Sequence, residues 1–257
     1  TVALLDSGVD YNHPLLTERY RGYVAGGPPR NQGNWWCKAA EDTLCGFGSG
    51  YPVDGLGHGT HVAGTIVAGD GIGVAPGARW MALRVCVVEC RNAWLVEGLQ
   101  WLLEQTAELL PDVLNASLST DEDLMTLVLK PLLDALVEAG VVVVASTGNG
   151  PGPLGAPAVL PSAIGVGATT PEGTLWKQSR SGRTAWGETK PDLVAPGTAV
   201  TSTIPGGGRI RLNGTSMASP HVAGVAALLR SADPRLSPAE IKYILLRTAT
   251  PIGGPSD

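Results

Sequence analysis

Six short stretches of the chain are almost continuously apolar: Val2–Leu5, Trp80–Val88, Val113–Leu118, Val141–Ala145, Ile164–Ala168 and Asp192–Ala195. Runs without polar alternation predict strands covered on both faces, as in parallel sheets. Longer stretches between them predict helices over His61–Ala68, Ala93–Leu109, Leu124–Ala139, Ser216–Ser231 and Pro238–Arg247. The last two carry start signals: Thr215 or Ser216 as a cap, and Ser237-Pro238 with Glu240 in the first turn. Strand and helix alternate, which predicts an α/β fold with a doubly wound, mostly parallel sheet and helices on both faces. The polar, Gly-rich segment Gly26–Gly57 reads as a long surface loop. No repeat and no separating linker is visible, so residues 1–257 read as a single domain.

Composition narrows the functional classes. The formal net charge is −5, so the chain lacks the broad positive field that nucleic acid or an anionic membrane selects. No run approaches the roughly 18 apolar residues of a membrane span. Hydrophobic residues are 44% of the chain, ample for a packed core, and 35 Gly with 20 Pro imply many tight turns. The four cysteines fall in two neighbouring pairs, Cys37/Cys45 and Cys86/Cys90, neither with Cys-x-x-Cys spacing. Three connectivities exist; two local loops are the favoured one and point to an oxidising compartment, whereas four buried thiols would suit a reducing one. The opening run TVALL reads as a strand with no leader before it, so any signal or pro-segment is expected to lie outside this chain.

In doubly wound sheets the chemistry gathers at the carboxyl ends of strands. Asp6 directly follows the first apolar run, where a partly buried carboxylate needs a partner; taken alone it reads as a turn cap. His58, closely flanked by glycines in GHGTH, opens a helix where an imidazole can take and return a proton near neutral pH. His61 lies one turn on, but the His-Glu-x-x-His zinc pattern is missing, and it reads as a packed structural histidine. Ser216 stands among small residues at a helix start, whose free N–H groups and positive dipole end favour a developing oxyanion; a lone serine there is usually only an N-cap. Ser219 and His221 read as structural. Asn149 follows four valines and presents an amide able to donate to an oxyanion; its plainer role is a left-handed turn beside Gly150. Together these residues supply an acid, a base, a nucleophile and an oxyanion donor. Their chain order, Asp then His then Ser, is one of three convergent triad orders.

These motifs resemble those of the subtilisin-like serine proteases. DSGVD, GHGTHVAGTI, ASTGN and NGTSMASPHVAGVAALL look like that family's Asp, His, Asn and Ser motifs, and the similarity runs from residue 1 to about Arg247. The resemblance implies a seven-stranded sheet and serine endopeptidase activity. Ser216 would attack the scissile carbonyl, His58 would carry the proton, Asp6 would orient the imidazole, and Asn149 with the Ser216 N–H would bind the oxyanion. It also implies that Ser117, Leu118 and Ser119 pair with extended substrate, together with Gly148, and that Gly155 floors the primary specificity pocket. Neither wall shows an obvious charge, so an apolar residue before the scissile bond is expected. Asp121, Glu122 and Asp123 either favour basic side chains at outer subsites or form a solvated helix start. Protein or peptide substrates, a pro-segment during maturation, a monomer and secretion complete the expectation.

The sequence departs from the family in places. His13-Pro14 is followed by Leu15-Leu16, and only Gly69-Asp70-Gly71-Ile72 stands where relatives carry a long loop. A hard cation needs six or more oxygens, so the family's tight calcium site is expected to be missing, with a weaker one conceivable near Asp192. No cofactor or metal is required for the chemistry. Ser119-Thr120 replaces the Gly-Gly that usually follows the leucine. Two alternatives share the motifs: a dedicated processing protease or peptide cyclase with one substrate, and a catalytically silent binding module.

Overall fold

The computed structural model describes residues 1–38, 45, 50–120 and 123–252. Seven strands form its main sheet: β1 (Val2–Asp6), β2 (Trp35–Cys37), β3 (Trp80–Arg84), β4 (Val113–Ala116), β5 (Val142–Ser146), β6 (Ala163–Thr169) and, later in the chain, β9 (Leu193–Pro196). Their order is β2-β3-β1-β4-β5-β6-β9, and every neighbouring pair is parallel.

Strand alternation explains why the apolar runs are unbroken. Val2 and Leu4 of β1 face one hydrophobic core, while Ala3 and Leu5 face another. The first core is shared with α1 (His58–Val67), α4 (Thr215–Ala232) and α5 (Pro238–Thr248) through Val62, Ile66, Ala223 and Ile241. The second is shared with α2 (Asn92–Leu103) and α3 (Asp123–Glu138) through Leu95, Leu99, Leu133 and Leu136. With both faces covered, each strand must be apolar on both sides. The predicted start of α5 is present: the Ser237 hydroxyl and Glu240 form a reciprocal capping box.

Some expectations are corrected. Trp35–Cys37, inside the segment read as a loop, is an edge strand paired with β3 in the register Trp35↔Ala82. Three residues in Gly-rich surroundings carry no period of their own, and only the long-range pairing reveals them. β3 ends at Arg84 because the next residues turn back through a Cys86–Cys90 disulfide; Cys37 is bonded to Cys45. The hairpin of β10 (Val200–Ile204) and β11 (Gly208–Leu212) and the short pair β7 (Gly182–Arg183) and β8 (Thr189–Lys190) were not predicted. α1 begins at His58, one turn before the predicted start.

The strand order positions the site. From β1 the chain builds β2 and β3 on one side, then crosses to add β4 on the other. Such a reversal opens a crevice at the carboxyl ends of the strands. Asp6 ends β1 and Ser117 follows β4 at this point.

Candidate active site

Asp6, the last residue of β1, is only 2% exposed. Its Oδ1 accepts the Ser7 N–H at 2.7 Å and lies 2.7 Å from Nδ1 of His58. That contact places the proton of neutral His58 on Nδ1 and leaves Nε2 as the acceptor. The approach depends on Gly59: a Cβ there would stand 2.0 Å from the Gly8 carbonyl oxygen and 3.1 Å from Asp6 Oδ1. Only glycine lets the start of α1 come so close to the exit of β1. Burial pushes the His58 pKa down, but the charge and hydrogen bond of Asp6, with the charge of Asp54, outweigh it and hold the pKa above its ordinary value.

Ser216 is the second residue of α4. Its hydroxyl donates to the Ser117 carbonyl at 3.1 Å, so this rotamer does not direct the proton to His58. Ser117 Oγ donates in turn to the Ser216 carbonyl at 2.9 Å. Below them, the Asn115 amide donates to Ser117 Oγ at 2.9 Å, and Ser219 Oγ donates to Asn115 Oδ1 at 2.6 Å. Four polar groups thereby join the end of β4 to the first turns of α4. Catalytic hydrogen bonds are often long or misaligned without substrate.

Asn149 follows β5. Its Oδ1 accepts from the Thr215 N–H at 2.9 Å and the Thr215 hydroxyl at 3.0 Å, which directs the amide NH2 the other way. That Nδ2 and the Ser216 backbone nitrogen lie 3.4 and 3.6 Å from the point a Gly214 Cβ would occupy. Two N–H donors thus border one small space beside Ser216, open because residue 214 has no side chain. Thr215, read from the sequence only as a cap, is a hub here: its Oγ1 also accepts the Gly148 N–H at 3.1 Å.

The expected substrate-binding residues line two neighbouring segments. Thr120, directly after Ser117, Leu118 and Ser119, exchanges backbone hydrogen bonds with Ala156 at 2.9 and 3.0 Å, next to the buried Gly155. Gly148 lies on the other segment, beside Asn149. Arg180 packs against Gly148 and Gly152 and donates to the Pro153 carbonyl at 2.9 Å. Asp121 and Glu122, considered for outer subsites, lie outside the described residues, as does the side chain of Asp123.

The other histidines have structural partners. His61 is fully buried, with Nε2 3.1 and 3.2 Å from the carbonyls of Val200 and Ile210; burial lowers its pKa to about 4. His221 Nδ1 lies 2.8 Å from the Met217 carbonyl. Among the described residues no cluster of three or more His, Cys, Asp or Glu side chains is arranged to hold a metal. Asp192 has both oxygens engaged by ammonium groups, Oδ2 at 2.5 Å from Lys190 Nζ and Oδ1 at 3.2 Å from Lys242 Nζ. No helix among the described residues is long and apolar enough to cross a membrane.

Comparison with known proteins bears on this geometry. A family model described as the subtilase family matches residues 1–256. Bacillopeptidase F of Bacillus subtilis (strain 168) is 38% identical over 274 residues, covering 98% of this chain and 19% of that protein. Subtilisin E of the same organism is 35% identical over 264 residues, covering 98% of this chain and 61% of its own length. The chain thus spans about a fifth of one relative and three-fifths of the other. The crystal structure of a cold adapted subtilisin-like serine proteinase superposes with a TM-score of 0.77 at 28% identity, over 96% of this chain and 81% of that one.

Proposed function

The chain belongs to the subtilase family, and from that premise we propose that residues 1–257 form a peptidase domain that hydrolyses peptide bonds with Asp6, His58 and Ser216. The observation that carries this reading is the 2.7 Å contact between Asp6 Oδ1 and His58 Nδ1.

Substrate binding turns the Ser216 hydroxyl from Ser117 toward Nε2 of His58. Oγ attacks the scissile carbonyl carbon as its proton passes to Nε2. Asp6 stabilises the imidazolium and keeps Nδ1 protonated throughout. The carbonyl oxygen, now negative, enters the space bordered by Asn149 Nδ2 and the Ser216 N–H. The imidazolium gives its proton to the departing amine, and water repeats the sequence to release the acyl group. Ser117–Ser119 and Gly148 flank the extended substrate, with Gly155 beneath an apolar residue before the scissile bond. The chemistry uses no cofactor. The two ammonium groups on Asp192 oppose a calcium ion there, since they would repel it and occupy both carboxylate oxygens. Both disulfides support a secreted protein. Protein or peptide substrates, a pro-segment cleaved in maturation and a monomeric state complete the reading.

The test is the intact mass after treatment with a serine-directed sulfonyl fluoride, beside Ser216→Ala. A single adduct on Ser216, absent from the variant, is the expected result. No adduct on a folded chain overturns the reading in favour of a catalytically silent module. A peptide panel read by mass then separates broad hydrolysis from a single cut, or from a product lighter by one water, the mark of a cyclase.

A further inference from the structure

One carboxylate outside the triad touches both segments that carry it. Asp54 precedes His58 by four residues. Its Oδ1 accepts from Ser7 Oγ at 2.9 Å, from the Leu56 N–H at 3.0 Å and from the Gly57 N–H at 2.8 Å. Its Oδ2 accepts from the Thr60 N–H at 2.8 Å and the Thr60 hydroxyl at 2.6 Å. Ser7 Oγ in turn accepts the Gly59 N–H at 2.9 Å, and Thr60 Oγ1 accepts the Asp10 N–H at 3.0 Å. Gly8 and Asp54 also form a backbone bridge. Ser7, Gly8 and Asp10 belong to the exit of β1, just after Asp6. Gly57, Gly59 and Thr60 surround His58.

A helix start leaves several N–H groups unpaired, and α1 has no side-chain cap at Gly57. Asp54 supplies the missing acceptors and a negative charge at the positive end of the helix. It does more than cap, because a cap need not reach another element. Through Ser7 it links the first turn of α1 to the residue bonded to Asp6. We propose that Asp54 is a positioning residue that holds the Asp6–His58 pair in register by bonding both β1's exit and α1's first turn.

This inference rests on the peptidase reading, but its geometry can be tested without turnover. The charges acting on His58 are Asp6 from β1 and Asp54 from the loop before α1, both of which favour the imidazolium. On α1 itself His61 faces His58, and from α4 His221 faces His61. Strand β10, also packed on α1, contributes no titratable side chain.

The experiment compares wild type, Asp54→Ala, Asp54→Asn and Ser7→Ala by steady-state kinetics against pH and by an NMR titration of the His58 ring. Misplacing reacting groups by about 1 Å costs on the order of 10²-fold. Asp54→Ala is therefore expected to lower kcat about 10²-fold with KM changed less than about threefold. Asp54→Asn, which keeps one acceptor oxygen, restores part of that loss. In both, the acid limb of kcat/KM and the His58 titration move to lower pH. Ser7→Ala breaks the side-chain link between the elements while the Gly8–Asp54 bridge and the Asp10–Thr60 bond remain; it lowers kcat about tenfold, and it decides the matter if Asp54→Ala does not fold. Folded variants with wild-type kcat and an unmoved His58 titration overturn the proposal. An inert wild type would overturn the peptidase reading alone, because the His58 titration of Ser7→Ala, which removes no charge, still reports whether the link holds the pair.

Discussion

At the scale of single residues, the site depends on where a few hydrogen bonds point. Asn149 is oriented by Thr215, which takes its carbonyl oxygen and leaves the NH2 to face the space at Gly214. Removing one oxyanion donor costs about 10²–10³ in kcat in subtilisin, and Asn149→Ala is expected to lower kcat by a similar factor. Gly214→Ala is expected to cost at least as much, because its methyl group fills the space that the oxyanion needs. Both variants should keep KM near wild type while Tm falls, because Asn149→Ala leaves the buried Thr215 N–H unpaired and Gly214→Ala strains a residue at φ 156°. A kcat loss that vanishes once rates are corrected for the folded fraction in a circular dichroism melt would refute the assignment. The raised pKa of His58 adds a prediction with a definite sign. Nε2 accepts the serine proton only when the ring is neutral, so kcat/KM falls as pH drops through a midpoint above the ordinary 6.5 of histidine. A pH profile against a chromogenic peptide measures that midpoint, and a value below 6.5 contradicts it.

At the scale of elements, α1 is locked on two sides. Its first turn is tied to β1, and further along His61 reaches the hairpin, facing carbonyls on both β10 and β11. Ser202 and Thr203 of β10 donate to the carbonyls of His61 and Thr60 at 2.8 and 2.7 Å. His61 is buried in its neutral form, and its folded pKa of about 4 is below the unfolded value. The unfolded chain therefore binds more protons between pH 6.5 and 4, so this contribution is fully present above pH 6.5 and is lost as pH falls toward 4. The shift corresponds to about 3 kcal/mol. Urea unfolding at pH 7 and pH 4.5 should show that loss, and His61→Gln should lessen the difference. An equal pH dependence in both proteins would rule out His61 as its source. The hairpin itself had no clear signature in the sequence, because β11 alternates Gly, Arg, Ile, Arg and Leu and four of its five residues are exposed. Its place is set by α1, not by its own hydrophobic pattern.

At the scale of the whole molecule, the sheet order creates the crevice and internal charges secure its far edge. Lys190 is fully buried, 2.8 Å from the Ala163 carbonyl and 2.5 Å from Asp192, whose Oδ2 also accepts the Gly165 N–H at 2.7 Å. The network joins β6, the end of β8, the start of β9 and α5. Burial lowers the Lys190 pKa, opposed by the charge and hydrogen bond of Asp192. Removing one partner of a buried pair costs about 3–5 kcal/mol. Asp192→Asn should therefore lower Tm by roughly 10 °C, and added calcium should not restore it. A melt unchanged from wild type, or one rescued by calcium, would show that Asp192 serves a different role.

The sequence alone determined the layered α/β class, six of the seven strands of the main sheet and the residues proposed for the chemistry. It could do so because burial on both faces forces unbroken apolar runs, and because Asp6, His58, Asn149 and Ser216 each lie where a strand ends or a helix begins. The short motifs that carry them also include the glycines that make close approach sterically feasible. Tertiary structure decided what depends on distant partners: the edge strand Trp35–Cys37, the hairpin over α1, the orientation of Asn149 by Thr215, and the links made by Asp54. None of these has a local period or a self-contained motif. A hydrogen bond between residues 47 positions apart, such as Ser7 to Asp54, exists only because parallel strands and their crossovers bring the two ends together.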